Sequence, residues 1–292
     1  MTNRIATPQR TKALLEKYSL SLKKSLGQNF LIDANILRNL VGVFELSGDS
    51  GVIEVGPGLG ALTEAMAEKA GKVVTVEIDG RLVPVLKGLF AGVENVRIVH
   101  ADILKLNLHE VVGEELSRYE ELVVAANLPY YITTPILLKL LHSGLPFRTI
   151  VVMVQKEVAA RITASAGHKA YGSLSVAVQY FADAATVMNV PRTAFLPNPN
   201  VDSAVLRLSM RDEPAVKVTD EPFFFRVVRA AFGHRRKTIF NNLTNNLFSR
   251  DEKEAVRFRL GSAGIDPARR AETVSIEEFA RLSEALLPLC RS

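Results

Sequence analysis

The sequence predicts an α/β domain followed by a small all-helical domain, and three observations support this. From residue 51 to residue 164, short apolar segments alternate with helical patterns, which is typical of a parallel sheet covered by helices on both faces. Residues 204–210 then alternate with a period of two, as an edge strand does. After Asp212 the pattern is helical throughout. We therefore divide the chain into residues 1–212 and 213–292.

Local signals justify the individual elements. A threonine N-cap before a proline at the first helical position starts a helix at Thr7-Pro8. Apolar residues at helical spacing predict helices at 34–46, 59–69, 80–91, 134–142 and 156–164. Short apolar runs predict strands at 51–55, 72–76, 96–99, 122–126 and 149–154, with 187–190 as a possible partner for the edge strand. In the C-terminal domain, helices are expected at 220–232, 237–247, 251–259 and 275–287, with a loop at 261–269.

The composition excludes several classes of protein. With 48% hydrophobic and 23% charged residues, the chain is neither collagen-like nor largely disordered. Its single cysteine, Cys290, excludes an intramolecular disulfide. No two of its five histidines lie three or four residues apart, so we expect no metal site. The N-terminus does not resemble a signal peptide and no long apolar run is present, which predicts a soluble cytoplasmic protein.

Positive charge is concentrated towards the two ends of the chain. Residues 1–30 carry six Lys and Arg against one acidic residue, residues 31–210 fifteen against eighteen, and residues 211–292 fifteen against twelve. This distribution fits a polyanionic partner such as nucleic acid, and an ordinary solvated surface is the alternative. The densest cluster has no acidic residue, and we predict that it binds RNA phosphates: Arg226, Arg229, Arg235, Arg236 and Lys237.

A glycine-rich turn follows the first predicted strand of the sheet. Gly56, Gly58 and Gly60 let the backbone approach a ligand, and the following helix offers free N–H groups. Glu77 ends the next strand, where a carboxylate accepts hydrogen bonds from both hydroxyls of a ribose. Two nucleoside cofactors fit this pattern, namely NAD and S-adenosylmethionine, and a turn without a ligand is the third possibility.

Asp102, just after the third strand, favours S-adenosylmethionine. An acidic side chain at this position can accept a hydrogen bond from the exocyclic amine of the cofactor's adenine. The alternative is that Asp102 only caps a helix.

The tetrapeptide Asn127-Leu128-Pro129-Tyr130 ends the fourth strand, and it is typical of methyltransferases that act on planar amino groups. The amino nitrogen of adenine is a poor nucleophile because its lone pair is delocalised into the ring. The Asn127 side-chain oxygen and the Leu128 carbonyl can each accept one N–H, while Pro129 fixes the turn and Tyr130 can stack on the base. We therefore predict methyl transfer to adenine without a general base, since the ammonium product loses its proton readily.

At this point the sequence resembles a known family, the KsgA-type ribosomal RNA adenine dimethyltransferases. The resemblance covers nearly the whole chain, in nine blocks that occur in the family's order. They include Lys24–Leu31, Glu54–Gly60, Val76–Asp79, Ala101–Ile103, Asn127–Ile132, Gln155–Ala159, Tyr171–Ser175, Phe195–Ala204 and Phe232–Thr238 with Asn241-Asn242-Leu243.

The resemblance implies a Rossmann-like S-adenosylmethionine-dependent methyltransferase domain with a small helical RNA- and ribosome-binding domain. It implies that the enzyme dimethylates two adjacent adenosines near the 3′ end of small-subunit (16S) ribosomal RNA, with a role in small-subunit assembly. Phe195 would stack on the target adenine opposite Tyr130. The residues expected to bind the cofactor are Gln28, Asn29, Leu31, Gly56, Gly58, Glu77, Ile78, Asp102, Ile103 and Asn127.

Three other functions are alternatives to this one. The erythromycin-resistance methyltransferases share the cofactor blocks but modify large-subunit RNA, and the Arg235–Lys237 block and Lys23-Lys24 favour the small-subunit substrate. An assembly factor without activity is disfavoured because Asn127, Pro129 and Tyr130 are intact. An NAD-dependent oxidoreductase does not need the tetrapeptide. We expect a bacterial, monomeric enzyme that acts on ribosomal RNA and the assembling small-subunit particle and has no membrane partner.

Overall fold

The computed structural model describes residues 4–20, 27–249 and 251–290. The chain divides into two compact units, Met1–Ala159 with Ala185–Met210, and Ala160–Ala184 with Arg211–Ser292. The expected boundary was a single cut after residue 212, whereas the structure groups the 160–184 segment with the C-terminal residues. The physical reason is packing, because Tyr171 and Tyr180 from this segment lie in the same hydrophobic cluster as Phe224 and Phe279.

The secondary structure alternates between strands and helices and then becomes helical. The strands are β1 (Phe30–Leu31), β2 (Ser50–Val55), β3 (Lys72–Glu77), β4 (Val96–His100), β5 (Glu121–Asn127), β6 (Phe147–Gln155), β7 (Ala182–Val190), β8 (Phe195–Leu196) and β9 (Ser203–Met210). The α-helices are α1 (Pro8–Lys17), α2 (Ala34–Val43), α3 (Ala61–Ala67), α4 (Leu82–Leu89), α5 (Leu108–Val111), α6 (Thr133–Leu141), α7 (Lys156–Ile162), α8 (Ser173–Phe181), α9 (Glu221–Ala231), α10 (Ile239–Asn246), α11 (Lys253–Ser262) and α12 (Ile276–Leu286).

Seven of these strands form one sheet in the order β4-β3-β2-β5-β6-β9-β7. The first five strands in this order, β4, β3, β2, β5 and β6, are parallel to one another. Strand β9 runs antiparallel to β6. In this register Val55 lies between Val76 and Ala126, so the carboxyl ends of the central strands are level with one another. The predicted α/β class is confirmed, and both expected late strands are present. The prediction that residues 204–210 form an edge strand is wrong, because β9 lies between β6 and β7 and β7 is the edge.

Strand β2 does not alternate between apolar and polar residues, because it lies in the core of the first unit. All six of its residues are buried, as expected for a strand with helices on both faces. On one face Val52 packs in a cluster with Leu37 and Leu40 of α2 and with Met66 of α3. Burial of these side chains fixes the strand ends, and therefore the turns that follow them.

The second unit has an aromatic core of its own. The Tyr180 and Phe224 rings lie 5.2 Å apart between centroids, and Phe232 and Phe279 lie 5.7 Å apart. Aromatic pairs at these distances add to the stability gained from burial alone. Within the described ranges, no helix of either unit is long and apolar enough to cross a membrane.

The predicted elements are present, mostly with ends that differ by one to three residues. The Thr7 cap is confirmed, since its side chain accepts the Arg10 N–H at 3.3 Å. The sequence analysis missed α8, the short α5 and the β1–β8 pair, and α11 extends into the predicted 261–269 loop. The basic pair Lys23-Lys24 and the start of the first motif block lie outside the described residues.

Candidate active site

The main cavity of the first unit lies where four parallel strands end. Because β2, β3, β4 and β5 run in the same direction, the turns that follow them meet at one edge of the sheet. The structure brings to this cavity all the residues expected to bind the cofactor, together with the tetrapeptide. They are Gln28, Asn29, Leu31, Gly56, Gly58, Glu77, Ile78, Asp102, Ile103, Asn127, Leu128, Pro129 and Tyr130.

The turn after β2 requires glycine at three alternate positions. Gly56, Gly58 and Gly60 have φ angles of +69°, +59° and +84°, which residues with a Cβ rarely adopt. A Cβ on Gly60 would lie 2.7 Å from the Phe90 ring, so this glycine lets α3 start close to the end of α4. A Cβ on Gly56 would meet nothing within 4 Å, so this glycine instead leaves open space beside the backbone.

Glu77, at the end of β3, has a carboxylate fixed by backbone groups. One oxygen accepts the Asp79 N–H at 2.8 Å and the other accepts the Gly58 N–H at 3.3 Å. The side chain is 5% exposed, and this burial raises the pKa of Glu77 above its ordinary value. A carboxylate oxygen accepts more than one hydrogen bond, so both oxygens can also accept from ribose hydroxyls.

Asp102 follows β4 in a tight turn that its own side chain closes. Its Oδ1 accepts the Leu104 N–H at 2.9 Å, and its carbonyl accepts the Lys105 N–H at 2.9 Å. One of the two carboxylate oxygens of Asp102 therefore caps the turn, which was the alternative interpretation of this residue. No described residue donates to Oδ2, which leaves an acceptor in the lining of the cavity.

Asn127, the last residue of β5, has an amide with a fixed orientation. Its Nδ2 donates to the Asn29 carbonyl at 3.0 Å, so Oδ1 points away from that carbonyl. Within the described part of the chain, neither this Oδ1 nor the Leu128 carbonyl has a donor. Two acceptors of adjacent residues are therefore available to a ligand in the cavity, as the amino group of adenine requires.

The rest of the tetrapeptide is held by hydrogen bonds on both sides. The Pro129 carbonyl accepts the Ile132 N–H at 3.1 Å and the Thr133 hydroxyl at 3.2 Å, which leads the chain into α6. The Tyr130 hydroxyl lies 2.8 Å from the Ser203 hydroxyl of β9. Burial raises the pKa of Tyr130, so this phenol stays neutral, and the contact with Ser203 holds the side chain in place.

The segment before the sheet is held at the cavity by hydrogen bonds of Gln28 and Asn29. Gln28 donates from Nε2 to Asp79 at 2.9 Å, and Asp79 is also held by Arg81 at 2.6 Å. The Arg81 guanidinium lowers the pKa of Asp79 well below its usual range, which keeps this buried carboxylate charged. Asn29 contributes through its carbonyl, which orients Asn127.

Phe195 is the one predicted site residue of the first unit that the structure keeps apart from the cavity. Its side chain is 1% exposed and packs in the core cluster that contains Leu31. The backbone gives the reason, because β8 pairs with β1 and places Phe195 directly opposite Leu31. Stacking of Phe195 on a base would require the ring to leave this core.

Comparisons with known proteins identify the family of this chain. Residues 19–287 match the family described as ribosomal RNA adenine dimethylase. The chain belongs to this family. The ribosomal RNA small subunit methyltransferases A of Geobacillus kaustophilus and Geobacillus thermodenitrificans are 59% and 57% identical, and each alignment covers 98% of both chains.

Two solved structures extend this similarity to the whole fold. The dimethyladenosine transferase of Plasmodium falciparum has a TM-score of 0.71 at 26% identity and covers 89% of this chain and 96% of its own. The 23S rRNA methyltransferase ErmE has a TM-score of 0.65 at 28% identity and covers 88% and 99%. The predicted family, Rossmann-like methyltransferase fold, enzyme class and cofactor S-adenosylmethionine are thereby confirmed.

The residues of this adenine dimethylase fit the cofactor. The open space beside Gly56, the fixed Glu77 carboxylate and the available Asp102 oxygen match a backbone approach, a ribose and an adenine amine. Ile78 directly follows Glu77 and Ile103 directly follows Asp102, and both add apolar surface to the cavity lining, where Ile78 is exposed. An exposed isoleucine at a cavity mouth gains burial when an apolar or aromatic group binds.

Sequence reasoning missed Glu54 in the lining of this cavity. It is 1% exposed inside β2, and its carboxyl accepts the Thr63 hydroxyl at 2.5 Å. Burial, with a smaller contribution from Glu77, raises the pKa of Glu54 to about 8. The signal was an acidic residue within an otherwise apolar strand next to the glycine turn, which is an expensive position unless the carboxyl is neutral or bonded.

The basic cluster of the second unit is exposed along its whole length. Arg226 and Arg229 lie on α9, and Arg235, Arg236 and Lys237 lie in the turn before α10. Arg235 already has partners, since it approaches Glu272 at 3.6 Å and donates to the Lys169 carbonyl. The turn itself is held by a buried asparagine.

That asparagine is Asn242 of α10, which is 1% exposed. Its Nδ2 donates to the carbonyls of Ala231 at 2.7 Å and His234 at 3.0 Å, and its Oδ1 accepts the His234 N–H at 3.0 Å. The polar motif around Asn242 therefore has a structural role, because it fixes the backbone that carries the exposed cations.

Proposed function

We propose that this ribosomal RNA adenine dimethylase modifies small-subunit ribosomal RNA and transfers two methyl groups to each of two adjacent adenosines near its 3′ end. The orientation of Asn127 is the observation that carries the adenine chemistry, since its amide nitrogen is occupied by Asn29 and its oxygen is available. The substrate class is supported by relatives of 57–59% identity whose names specify the small subunit, compared with 28% for ErmE.

The tetrapeptide activates the nitrogen of the target base. The Asn127 oxygen and the Leu128 carbonyl accept its two N–H groups, which favours a pyramidal nitrogen with its lone pair directed towards the methyl donor. S-adenosylmethionine supplies that methyl group on a positively charged sulfur. After attack, the nitrogen carries a positive charge and releases one proton to solvent, so no residue has to act as a base.

The second transfer needs only one of the two acceptors. The monomethylated nitrogen has a single N–H, so either Asn127 or Leu128 is sufficient to hold it. Tyr130 stacks on the base in both transfers, and its bond to Ser203 keeps the ring in place. We retain Phe195 as a second stacking residue that acts only if it leaves the core.

The cofactor is held by the turns that end the parallel strands. Gln28, Asn29 and Leu31 contact its methionine end, and Gly56 and Gly58 allow a close backbone approach. Glu77 accepts the ribose hydroxyls, and Asp102 accepts the adenine amine between the apolar side chains of Ile78 and Ile103. Asn127 contacts both the cofactor and the target base.

The two units of the chain divide the work between chemistry and RNA binding. The first unit carries the transfer, and the second unit holds ribosomal RNA through the cluster Arg226, Arg229, Arg235, Arg236 and Lys237. A pocket for one adenosine cannot select two positions in a whole ribosomal RNA, so phosphate contacts must position the substrate. We propose that the enzyme works as a monomer in the cytoplasm on an assembling small-subunit particle, and so takes part in its assembly.

Label transfer from radioactive S-adenosylmethionine tests this proposal. Small-subunit particles that lack the modification, naked large-subunit RNA and a reaction without RNA are compared under the same conditions. We expect label in the small-subunit RNA alone. Label in the large-subunit RNA would favour the erythromycin-resistance type of function, and label in neither would contradict the proposal.

A further inference from the structure

A second cleft of the first unit contains two cations that the predicted site does not include. We call it the Lys156–Arg192 cleft, and it is also lined by Gln155, Asn200 and Asp202. Both cations are exposed, and no described acidic side chain forms an ion pair with either of them. The cleft therefore presents two cationic side chains that form no ion pair among the described residues.

Other arginines of the same sheet are paired. Arg207 of β9 lies 2.8 Å from Glu45, and Arg148 of β6 lies 3.4 Å from Glu121. Acidic partners thus neutralise these two arginines of β6 and β9. Lys156 directly follows β6 and Arg192 lies two residues after β7, and neither has an ion pair among the described residues.

Asp202 explains how the two cations are held. Its carbonyl accepts the Lys156 N–H at 3.0 Å, and its carboxylate accepts the Arg192 N–H at 3.0 Å. One acidic residue therefore fixes the backbone of both basic residues, and one of its carboxylate oxygens accepts a backbone N–H group. Glu157 and Asp202 both line the cleft, so the formal charges of its lining sum to zero. The two cations would therefore act on a ligand through direct contact and not through a net positive field.

The cleft is connected to the catalytic tetrapeptide through the sheet. Tyr130 bonds Ser203, and Ser203 pairs with Gln155 in the β6–β9 ladder. Asn127 pairs with Met153, two residues before Gln155. With a rise of about 3.3 Å per residue and a strand spacing of about 4.8 Å, the Asn127 and Gln155 backbones lie roughly 8 Å apart. This separation is on the scale of one nucleotide.

We propose that the Lys156–Arg192 cleft binds the phosphodiester group next to the target adenosine. The inference rests on the proposed function, because a base held at Asn127 stays covalently attached to a ribose and a phosphate a few ångströms away. Two cations with a fixed backbone suit that phosphate, and Asn200 adds an amide donor. The contact positions the nucleotide and carries no information about base sequence.

The first test compares two double variants with the same loss of charge. Lys156→Gln with Arg192→Gln removes the cleft cations, and Lys69→Gln with Lys87→Gln removes two exposed, unpaired lysines after α3 and late in α4. We expect the cleft variant to raise the KM for small-subunit particles about tenfold and, because one phosphate contact is lost, to reduce the magnitude of the salt slope of binding by about 0.7–0.9. The kcat and the affinity for S-adenosylmethionine should stay within about twofold of wild type.

The second test locates the phosphate. Short RNAs that contain the two adjacent adenosines are made with one neutral methylphosphonate, either next to the target or several nucleotides away. We expect the neighbouring substitution to weaken binding to wild type and to have no further effect on the cleft variant, because both changes remove one interaction.

Two results would overturn the cleft proposal. One is a cleft variant whose KM and salt slope equal those of the Lys69 and Lys87 control. The other is a methylphosphonate effect that adds in full to the effect of the variant. If wild-type protein transfers no label to small-subunit RNA, the proposed function itself fails, and this outcome is distinct because it is seen before any variant is compared.

Discussion

The cavity at the ends of the parallel strands and the basic cluster on α9 and the turn after it contrast in how their residues are held. In the cavity, Glu77 and Asn127 are fixed by backbone partners, and glycines in the left-handed region shape the turn. In the cluster, all five cations are exposed, and only Arg235 makes an ion pair among the described residues. A site that does chemistry needs fixed geometry, whereas a surface that holds phosphates needs mainly charge.

The largest effect should follow from breaking the fixed geometry at Asn127. Asn127→Ala removes one acceptor of the target amino group and the link to Asn29, and we expect turnover to fall by about 100-fold or more. Single-turnover transfer at saturating cofactor measures this, and thermal unfolding checks that the variant is folded. If more than about a tenth of wild-type turnover is retained, the orientation provided by Leu128 and Pro129 is sufficient.

A smaller effect is expected at the ribose end of the cavity. Glu77→Ala should weaken S-adenosylmethionine binding about 10- to 100-fold, because a charged hydrogen bond contributes roughly 1.5–3 kcal/mol. Glu94→Ala removes the same charge from an exposed position before β4 and serves as the control. Calorimetry without RNA gives both affinities. Equal affinities for wild type and Glu77→Ala would show that Glu77 does not bind the cofactor.

The basic cluster should respond to charge alone. Replacing Arg235, Arg236 and Lys237 together by Gln should weaken binding to small-subunit particles and reduce the magnitude of the salt slope by about 2–3. The affinity for the cofactor should not change. Lys253, Arg257 and Arg259 of α11, replaced in the same way, give a control with equal loss of charge in the same unit. If the salt slope is the same in both triple variants, the cluster does not bind the RNA phosphates.

A separate effect concerns the pH dependence of stability, not binding or turnover, and comes from Glu54. The folded chain keeps the Glu54 proton up to about pH 8, whereas the unfolded chain releases it near the ordinary value of 4.5. The folded state therefore binds more protons between these values, and its free energy of unfolding should fall by about 1 kcal/mol per pH unit as the pH rises. Glu54→Gln should lack this slope. Urea unfolding of both proteins across the window measures it, and parallel curves would contradict a proton on Glu54.

The cavity could be predicted from the sequence because its residue types are obligatory. A turn with three positive φ angles needs glycines such as Gly56, and a ribose at a strand end needs an acid such as Glu77. The burial of Phe195 could not be predicted, since it depends on the pairing of β8 with β1, more than 160 positions apart in the chain.

Helix α8 was missed for a related reason. Its Val176 and Val178 are β-branched and have low helix propensity, so the segment has no clear local signal. Its conformation is determined by tertiary packing, because Val176 and Tyr180 join the aromatic core of the second unit. Local patterns do not contain that information.

The identity and position of the methylated nucleosides test the central claim most directly. Unmodified small-subunit particles are incubated with the enzyme and labelled S-adenosylmethionine, and the RNA is then cleaved and analysed by mass spectrometry. We predict N6,N6-dimethyladenosine at two adjacent positions near the 3′ end with wild type and neither product with Asn127→Ala. Label on any other base, or the same products from both proteins, would contradict the assignment of this chemistry to the cavity.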